Sequence, residues 1–249
     1  LHGNEPTDFL NSKTIFIWGS NPVHAQPQNW RIVSKAHKQG TKLICIDPIR
    51  SATAAKCDEF VPIQPGTDLL LTMAMMKIIL EEGWTDEAFM KNRSTCPALV
   101  RKDDGKYLMK SAFATLAEGE AELTITKDGT EICVVPILVM PKSSLTYVWD
   151  ADKNAAVLGA ETTNPALEGT YTVEGIECVT AFTLLKERIM ETDIAYAAKK
   201  TDIPEAKIKE LADEYAHSGA SAIYANYGID HYQNGHLWGF AIACMATLT

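Results

Sequence analysis

Short apolar runs and longer amphipathic stretches alternate along residues 1–90 of the chain. The runs Lys13–Trp18, Thr41–Asp47 and Glu59–Ile63 are apolar enough to predict buried strands. A helical period over Gln26–Gln39 and Leu69–Glu82 predicts helices after the first and third runs. Strands and helices that alternate at this spacing favour right-handed crossovers and a parallel sheet. The pattern therefore predicts an α/β fold class, a Rossmann-like parallel sheet flanked by helices.

The pattern changes between Cys96 and about Val179, where shorter strands separated by turns are predicted. Ala121–Thr126 and Glu131–Val139 flank Asp128-Gly129, a dipeptide typical of tight hairpins. Further strands are predicted at Leu145–Trp149 and Thr170–Val179. We interpret residues 96–179 as a β-rich insertion within the surrounding α/β domain.

Helical periodicity returns after the insertion. Ala181–Met190 and Ile203–Tyr215 are predicted helices, the second with Pro204 at its first helical position. Ser221–Tyr227 is predicted to be one more buried strand, and an apolar helix follows over Asn234–Thr249. On this pattern, residues 1–249 form one α/β domain that contains the insertion.

Charge and composition narrow the classes of partner. The 249 residues carry a net charge of −9, which argues against nucleic acid because phosphate backbones bind basic surfaces. No apolar run approaches the roughly 20 residues of a membrane-spanning helix, so direct membrane insertion is not expected. The six cysteines never form a C-x-x-C pair, and we expect neither a zinc nor an iron–sulfur site within this segment.

Polar loops follow the predicted parallel strands. They are Gly19–Pro22, Asp47–Arg50, Pro65–Asp68 and, after the late strand, Tyr227–His231. Because ligands of open α/β sheets bind at the carboxyl ends of the strands, we expect these loops to converge on one crevice. The sequence therefore predicts a nucleotide site at that edge of the sheet.

The residue types in these loops suit a nucleotide. Gly19 allows the backbone to approach an anion closely, and the helix start after it supplies unpaired N–H groups. Asn21 carries a donor and an acceptor on a short side chain. Asp47 stands where dinucleotide folds place a carboxylate against ribose hydroxyls, and Arg50 is a two-pronged donor for phosphate. The Asp68 carboxylate is an acceptor for the N1–H and 2-amino groups of a guanine.

Each loop also has a plain structural interpretation. The turn 19–22 needs glycine and proline for its backbone alone, and Asp47-Pro48 is a common turn opener. Thr67 or Asp68 suits the N-cap of the helix that follows. A lone histidine such as His231 is more often structural than catalytic. The sequence has no G-x-G-x-x-G fingerprint, which disfavours a nicotinamide dehydrogenase.

The order and spacing of the loops resemble a known family. Ile17–Pro22, Ile46–Arg50 and Pro65–Asp68 are similar to the signature run of the dimethyl sulfoxide reductase family, whose members carry a bis(molybdopterin guanine dinucleotide) metal centre. Further stretches that resemble this family are Trp84–Phe89, Ile203–Ala212 and Tyr224–Gly235. The resemblance covers residues 13–92 and 181–249. The insertion is less similar, and is like those of the acetylene hydratase and catechol dehydroxylase branches.

The resemblance implies a role for each loop. Residues 18–22 and His24 would line the phosphate and ribose of one dinucleotide. Asp47 and Arg50 would hold its ribose and phosphate end. Residues 66–68 would hold the guanine. The chain would thus be a dinucleotide-binding α/β domain of a larger catalytic subunit.

The loop after the late strand would approach the metal. Tyr227, Gly228 and His231 would lie near the pterin and the substrate, which makes His231 the candidate catalytic residue. Two positions depart from the family pattern: Arg50 stands one residue later than in the common Asp-Pro-Arg run, and His231 stands where many members have Gln. No metal ligand is assigned within the chain. The candidate cofactor-binding residues are Trp18, Gly19, Ser20, Asn21, Pro22, His24, Asp47, Arg50, Gly66, Thr67, Asp68, Tyr227 and Gly228.

We expect the chain to be an internal fragment, because it lacks an initiator Met. The resemblance also implies groups that lie outside the chain. The implied cofactor is molybdenum bis(molybdopterin guanine dinucleotide), with tungsten as the alternative metal and a [4Fe–4S] cluster upstream. The implied partners are a small-molecule substrate, an iron–sulfur electron-transfer subunit, and the remaining domains of the same catalytic subunit. Prokaryotic cytoplasm and periplasm both remain alternatives for the location of the protein, because any targeting signal would lie upstream of the chain.

Two alternatives remain within this family. The first is a hydratase or a reductive dehydroxylase, because the insertion is like those of the corresponding branches of the family. A cofactor-free electron-transfer subunit of the same fold, as in respiratory complex I, is the other. Asn21, Asp47, Thr67 and Asp68 argue against the second, since a subunit without the cofactor has no need of them.

Overall fold

The chain divides into two compact units. The computed structural model describes residues 5–116, 122–127, 130–136 and 145–249. The first unit contains the residues up to Thr85 together with Thr192–Thr247 and Thr249, and the second contains Asp86–Glu191 with Leu248. The predicted insertion, residues 96–179, falls within the second unit.

A parallel sheet forms the centre of the first unit. Its strands are β1 (Thr14–Trp18), β2 (Lys42–Asp47), β3 (Glu59–Pro62) and β11 (Ser221–Ala225). They lie in the order β11-β1-β2-β3 and all run in the same direction. Strand β1 is buried at every position, between β2 and β11. A central parallel strand covered on both faces needs no polar alternation, which explains its unbroken apolar run.

Helices pack around this sheet. They are α1 (Pro22–Ala25), α2 (Pro27–Lys38), α3 (Asp68–Glu81), α6 (Ile194–Thr201), α7 (Glu205–His217) and α8 (Gly235–Leu248). Helix α2 is amphipathic and places Val33 and Ala36 in a core with Leu43 of β2 and Tyr224 of β11. Helix α3 packs against both α6 and α7, so it is apolar around most of its circumference.

The second unit is mainly antiparallel. Strands β4 (Leu99–Arg101), β9 (Thr170–Val173) and β10 (Ile176–Thr180) form a sheet in the order β4-β10-β9. The pairs β5 (Glu122–Lys127) with β6 (Thr130–Pro136), and β7 (Tyr147–Asp150) with β8 (Ala155–Leu158), are antiparallel ladders. Helices α4 (Glu87–Arg93) and α5 (Ala181–Met190) belong to the same unit.

The predicted fold class is confirmed: helices flank a parallel sheet, and the antiparallel strands form separate sheets. The predicted Asp128-Gly129 turn and the ends of its strands at Ala121 and 137–139 lie outside the described residues, although β5 and β6 do pair. None of the helices in the described ranges is both long and apolar enough to cross a membrane.

Several element boundaries differ from the sequence prediction. Strand β11 ends at Ala225 instead of continuing to Tyr227, and α7 begins at Glu205, one residue after Pro204. Helix α6 was not predicted. Its eight residues are too few to show a clear apolar period, and Asp193 starts the helix by accepting a hydrogen bond from the Tyr196 N–H at 3.0 Å.

Candidate functional site

The loops singled out by the sequence begin at one edge of the parallel sheet. Trp18 lies beside Ile46 and Ala225 in the strand register, and Asp47 lies beside Pro62. Because the strands run in parallel, the loops that follow β1, β2, β3 and β11 all leave from this carboxyl edge. That the four loops leave from one edge of the sheet is confirmed, and that they line one nucleotide-binding crevice stays a prediction.

The loop after β11 packs against the loop after β1 through two glycines. Gly19 has a φ of +56°, and a Cβ built on it would lie 2.5 Å from Cγ1 of Ile229. A Cβ built on Gly228 would lie 2.6 Å from the carbonyl oxygen of Gly19. The contact between the two loops therefore requires glycine on both sides.

We expect Gly19→Ala to lower the free energy of unfolding by about 2–4 kcal/mol, since it adds left-handed strain to an overlap with Ile229. Gly83→Ala is the matched control: Gly83 has a φ of +70° with open space around it, so only about 1 kcal/mol of strain is expected. Chemical denaturation of both variants measures the difference. Equal losses would show that Ile229 moves aside without penalty.

The loop after β3 also contacts the loop after β11. Gly66 has a φ of +77°, and a Cβ built on it would lie 3.1 Å from Cδ1 of Tyr232. Thr67, the N-cap residue of α3, makes no side-chain capping bond and donates its hydroxyl to the Gln64 carbonyl at 2.7 Å instead. The three loops after β1, β3 and β11 are thus joined by direct contacts.

A buried polar network lies beneath these loops. The indole N–H of Trp18 donates to Oδ1 of Asp68 at 2.8 Å, and both side chains are buried. The indole N–H of Trp238 donates to the Thr72 hydroxyl at 3.0 Å, and that hydroxyl donates to the Asp68 carbonyl at 3.0 Å. The two indole rings meet edge to face with centroids 5.3 Å apart. The bond from Trp18 orients the Asp68 carboxylate, and the bond from Thr72 reaches the Asp68 main-chain carbonyl.

Burial dominates the electrostatics of Asp68. The side chain is 4% exposed, and this desolvation raises the pKa of its carboxyl. The hydrogen bond from Trp18 acts in the opposite direction and lowers that pKa, while the charge of Asp47 raises it further. Two carboxylates from different loops therefore interact at the carboxyl edge of the sheet.

Asn21 is held by a residue that the sequence analysis did not select. The hydroxyl of Thr53, which is fully buried, donates to Oδ1 of Asn21 at 2.7 Å. The same hydroxyl accepts a hydrogen bond from the backbone N–H of Val23 at 3.2 Å. With its oxygen engaged in this way, the Asn21 amide presents its NH₂ group on the other side.

Ser20 carries an unsatisfied polar atom. Its side chain is 4% exposed, and among the described side chains its Oγ is buried without a hydrogen-bond partner. Most buried hydroxyls in folded proteins have such a partner, so this one calls for a physical reason. A hydrogen bond to a polar ligand atom would satisfy it.

Comparison with known proteins agrees with the geometry. The family model described as molybdopterin oxidoreductase matches residues 1–247. The chain belongs to the molybdopterin oxidoreductase family.

Named relatives fit this assignment. The chain is 32% identical, over 99% of its length, to a putative catalytic subunit of dimethyl sulfoxide reductase from Halobacterium salinarum, and covers 27% of that protein. It is 30% identical, over 98% of its length, to the alpha chain of perchlorate reductase from Dechloromonas aromatica, and covers 28% of it. The chain therefore spans about a quarter of the length of these relatives.

A solved structure shares the fold. Acetylene hydratase from Pelobacter acetylenicus superposes with a TM-score of 0.57 at 17% sequence identity, over 96% of this chain and 22% of that one. At this identity the similarity concerns the fold alone. Membership of the molybdopterin oxidoreductase family implies a molybdenum–pterin cofactor.

The loop after β2 is largely exposed. Oδ1 of Asp47 accepts a hydrogen bond from the backbone N–H of Ile49 at 2.8 Å. This carboxylate therefore also stabilises a turn, as the plain structural interpretation of Asp47-Pro48 predicted. Partial burial raises the pKa of the Asp47 carboxyl. Ile49 is 71% exposed and Arg50 is exposed beside it. The assigned roles of Asp47 and Arg50 toward ribose and phosphate stay predictions.

The remaining candidates lie at the same edge of the sheet. Pro22 is buried at the start of α1, and His24 is exposed in that helix. His231 is exposed and meets the ring of Tyr227, which is 66% exposed, edge to face at 4.5 Å. The catalytic role of His231 and the pterin contacts of Tyr227 and Gly228 stay predictions. Within the described ranges, no group of three His, Cys, Asp or Glu side chains is arranged to hold a metal ion.

Sequence reasoning missed the residues that support the site. These are Thr53, Thr72, Ile229, Tyr232 and Trp238. Each of these residues either contacts a predicted site residue that is distant in the chain or makes a contact that no local sequence motif indicates. The nearest signal was Tyr224–Gly235, a family-like stretch that contains Ile229 and Tyr232.

Proposed function

We propose that this chain holds the guanine and phosphate end of one molybdopterin guanine dinucleotide in the catalytic subunit of a molybdenum or tungsten oxidoreductase. The observation that carries the proposal is the buried Ser20 hydroxyl, which has no hydrogen-bond partner among the described residues and belongs to the loop after β1 at the carboxyl edge of the sheet. Family membership supports a pterin cofactor, and the guanine dinucleotide form is our own inference.

The loop after β1 suits a phosphate group. The Ser20 hydroxyl is a donor without a protein partner, and the Asn21 amide is turned by Thr53 so that its NH₂ group is the side left for a ligand. Gly19 in its left-handed conformation brings the backbone to the same position. A phosphate oxygen accepts from hydroxyl and amide donors alike, so both side chains would bind it.

The Asp68 carboxylate suits the guanine. It is fixed by Trp18 through one oxygen, and each carboxylate oxygen accepts more than one hydrogen bond. A guanine presents two adjacent donors, N1–H and the 2-amino group, which match such an acceptor. A base that lacks these donors would leave the buried carboxylate without the hydrogen bonds that offset its desolvation.

Asp47 and Arg50 complete the proposed binding surface. Asp47, already ordered by its bond to the Ile49 N–H, would accept from the ribose hydroxyls. The exposed Arg50 guanidinium would offset part of the phosphate charge in a chain whose net charge is −9.

The metal–pterin group, when bound, supplies two-electron redox or oxygen-atom transfer chemistry on a small substrate. This chain's residues bind and orient its nucleotide tail and exclude water from the guanine edge. His231 and Tyr227, exposed at the same edge, would face the substrate. The proposed partners are an iron–sulfur electron-transfer subunit, together with the other domains of this catalytic subunit.

The proposal is tested on the full-length protein by metal analysis and by counting guanine nucleotides released on denaturation. We expect molybdenum or tungsten with two guanine nucleotides per chain. Ser20→Ala should lower the nucleotide content about tenfold, the effect of losing one hydrogen bond to a charged group. It should leave the stability of the cofactor-free protein unchanged, because the hydroxyl has no partner to lose.

Ser34→Ala in α2 is the control and should retain the wild-type nucleotide content. Absence of both metal and nucleotide from the wild-type protein would contradict the proposal and favour a cofactor-free electron-transfer subunit. Unchanged nucleotide content in Ser20→Ala would remove Ser20 from the binding site.

A further inference from the structure

Strand β11 ends the parallel sheet on one side. Within the described ranges, the order β11-β1-β2-β3 leaves the second edge of β11 without a partner strand. The Lys13 N–H donates to the Ala220 carbonyl at 2.8 Å, which directs residue 220 toward β1. Backbone groups alternate in direction along a strand, so the even-numbered residues of β11 also face β1. The N–H and C=O groups of Ile223 and Ala225 therefore point to the free edge.

The two outer strands of the sheet differ in how they discourage a further strand. Strand β3, at the opposite end, contains Pro62, which has no N–H to donate to a neighbour. Strand β11 has the sequence Ser-Ala-Ile-Tyr-Ala and contains neither proline nor a charged side chain. Proteins protect exposed edges with such residues or cover the edge. The composition of β11 is therefore that of a strand whose second edge is covered.

A cavity of about 540 Å³, which we call the edge channel, lies along β11. All five residues of β11 line it. One wall lies beside α2 and the opposite wall is α8, and the wall residues include Phe9, Gln26, Asn29, Gly239, Ile242, Ala243 and Ala246. Small side chains predominate on the α8 wall, which leaves room for the side chains of a neighbouring strand.

The two walls belong to opposite faces of the sheet. Helix α2 packs on the face of β1 that carries Ile15 and Ile17, whereas Trp238 of α8 contacts Trp18, which points to the other face. Crossovers between parallel strands are almost always right-handed. A crossover of the same hand over the opposite face runs in the opposite direction. Whereas α2 connects β1 to β2, helix α8 therefore leads from β11 to its free side.

We propose that a further strand of the same catalytic subunit occupies the edge channel and pairs in parallel with β11, as a fifth strand of the sheet. This inference rests on the proposed place of the chain in a larger subunit. The chain covers 27% and 28% of two relatives, so most of such a subunit is available to supply the strand. About five residues, roughly 17 Å of extended chain, match the length of β11. Their backbone bonds the outward groups of Ile223 and Ala225.

Residue-resolved hydrogen exchange of the full-length protein tests the pairing. The amides of Ala222 and Tyr224, which face β1, are internal controls and should exchange slowly in any case. We expect the amides of Ile223 and Ala225 to exchange as slowly as these controls. On a free edge they would exchange roughly 100-fold faster or more, because no ladder bond would protect them. Fast exchange confined to Ile223 and Ala225 would overturn the proposal.

Photo-crosslinking identifies what covers the edge. Ala246 is exposed and lines the edge channel, so Ala246→p-benzoylphenylalanine places a photoreactive ketone beside the expected strand. Irradiation of the full-length protein should link residue 246 to a peptide of the same polypeptide outside these 249 residues. The same substitution at Glu205, exposed at the start of α7, is the control and should not give this link. A link to a second copy or to another subunit, or no link, would contradict the proposed occupant.

These outcomes are separable from those of the proposed nucleotide site. The edge channel contains none of the candidate cofactor-binding residues, so exchange and crosslinking should be the same with and without cofactor. A full-length protein without metal or guanine nucleotide that still shows slow exchange and the internal link would refute the nucleotide site alone. A loaded protein with fast exchange at Ile223 and Ala225 would refute the fifth strand alone.

Discussion

Replacing Asp68 by Asn is expected to lower the guanine nucleotide bound to the full-length protein at least about tenfold, while the Tm stays the same or rises. Asn is nearly isosteric and keeps an oxygen that accepts the Trp18 N–H. It replaces the other acceptor with an NH₂ group, which faces the donors of a guanine. Loss of a charged hydrogen bond of this kind weakens binding by about 1.5–3 kcal/mol.

The stability of the variant follows from the pKa of Asp68. Burial raises that pKa, so the folded protein disfavours the charged form, and at neutral pH the carboxylate reduces stability relative to a neutral side chain. Removing the charge relieves this penalty. A buried carboxylate that destabilises the cofactor-free fold is the pattern expected of a binding residue.

Asp193→Asn is the matched control for this prediction. Asp193 also stands at a helix start, but there it caps α6 through the Tyr196 N–H. It should lower the Tm slightly and leave the nucleotide content unchanged. If Asp68→Asn behaved in the same way, Asp68 would be a helix-start residue without a ligand, which was the plain structural interpretation of its position.

Replacing Trp18 by Phe is expected to lower the free energy of unfolding by about 2–4 kcal/mol at pH 7. Phe fills most of the ring volume but lacks the N–H that donates to Asp68. A carboxylate that is 4% exposed would then lose its indole donor, which is one of the most destabilising changes in a protein interior.

The loss of stability caused by Trp18→Phe should increase as pH rises. Below the ordinary Asp pKa of about 3.9, Asp68 is protonated in both folded and unfolded states, and only a neutral hydrogen bond is missing. As pH rises toward the raised folded-state pKa, the unfolded carboxyl ionises first and the folded state becomes less stable. The Trp18 hydrogen bond lowers the pKa of Asp68, so its loss raises that pKa further in the variant. The difference in Tm should therefore widen as pH rises from the folded-state pKa of the wild type to the higher one of the variant, and then become constant.

Trp238→Phe provides the comparison. It removes an indole N–H from the same pair of rings, but its acceptor is the neutral Thr72 hydroxyl. Its loss should be smaller, about 1 kcal/mol, and independent of pH. Thermal unfolding of both variants between about pH 4 and pH 7 separates the two cases, and equal, pH-independent losses would contradict a charged Asp68 in the folded protein.

The local pattern of the chain was sufficient for the parallel sheet. The apolar run of β1 and those of its neighbours are recognisable because central parallel strands are buried on both faces. The short helix α6 and strand β8 were not recognisable in the same way. Ala155–Leu158 carries no polar alternation, and it becomes a strand only by pairing with β7.

Parallel topology also explains why the position of the candidate site could be predicted. Once β1, β2, β3 and β11 run in one direction, their following loops share an edge, so Gly19, Asp47, Asp68 and His231 had to lie on the same side. The chemical types of these residues were likewise visible in the sequence.

The sequence by itself therefore determined the fold class, the edge from which the candidate loops leave and the family, because strand burial and loop order are local properties. The tertiary structure alone decided the partners of each side chain: Trp18 on Asp68, Thr53 on Asn21, and Ile229 against Gly19. These residues are 32 to 210 positions apart in the chain. Only packing of the finished fold brings them within hydrogen-bond or van der Waals distance, and no periodicity encodes such pairs.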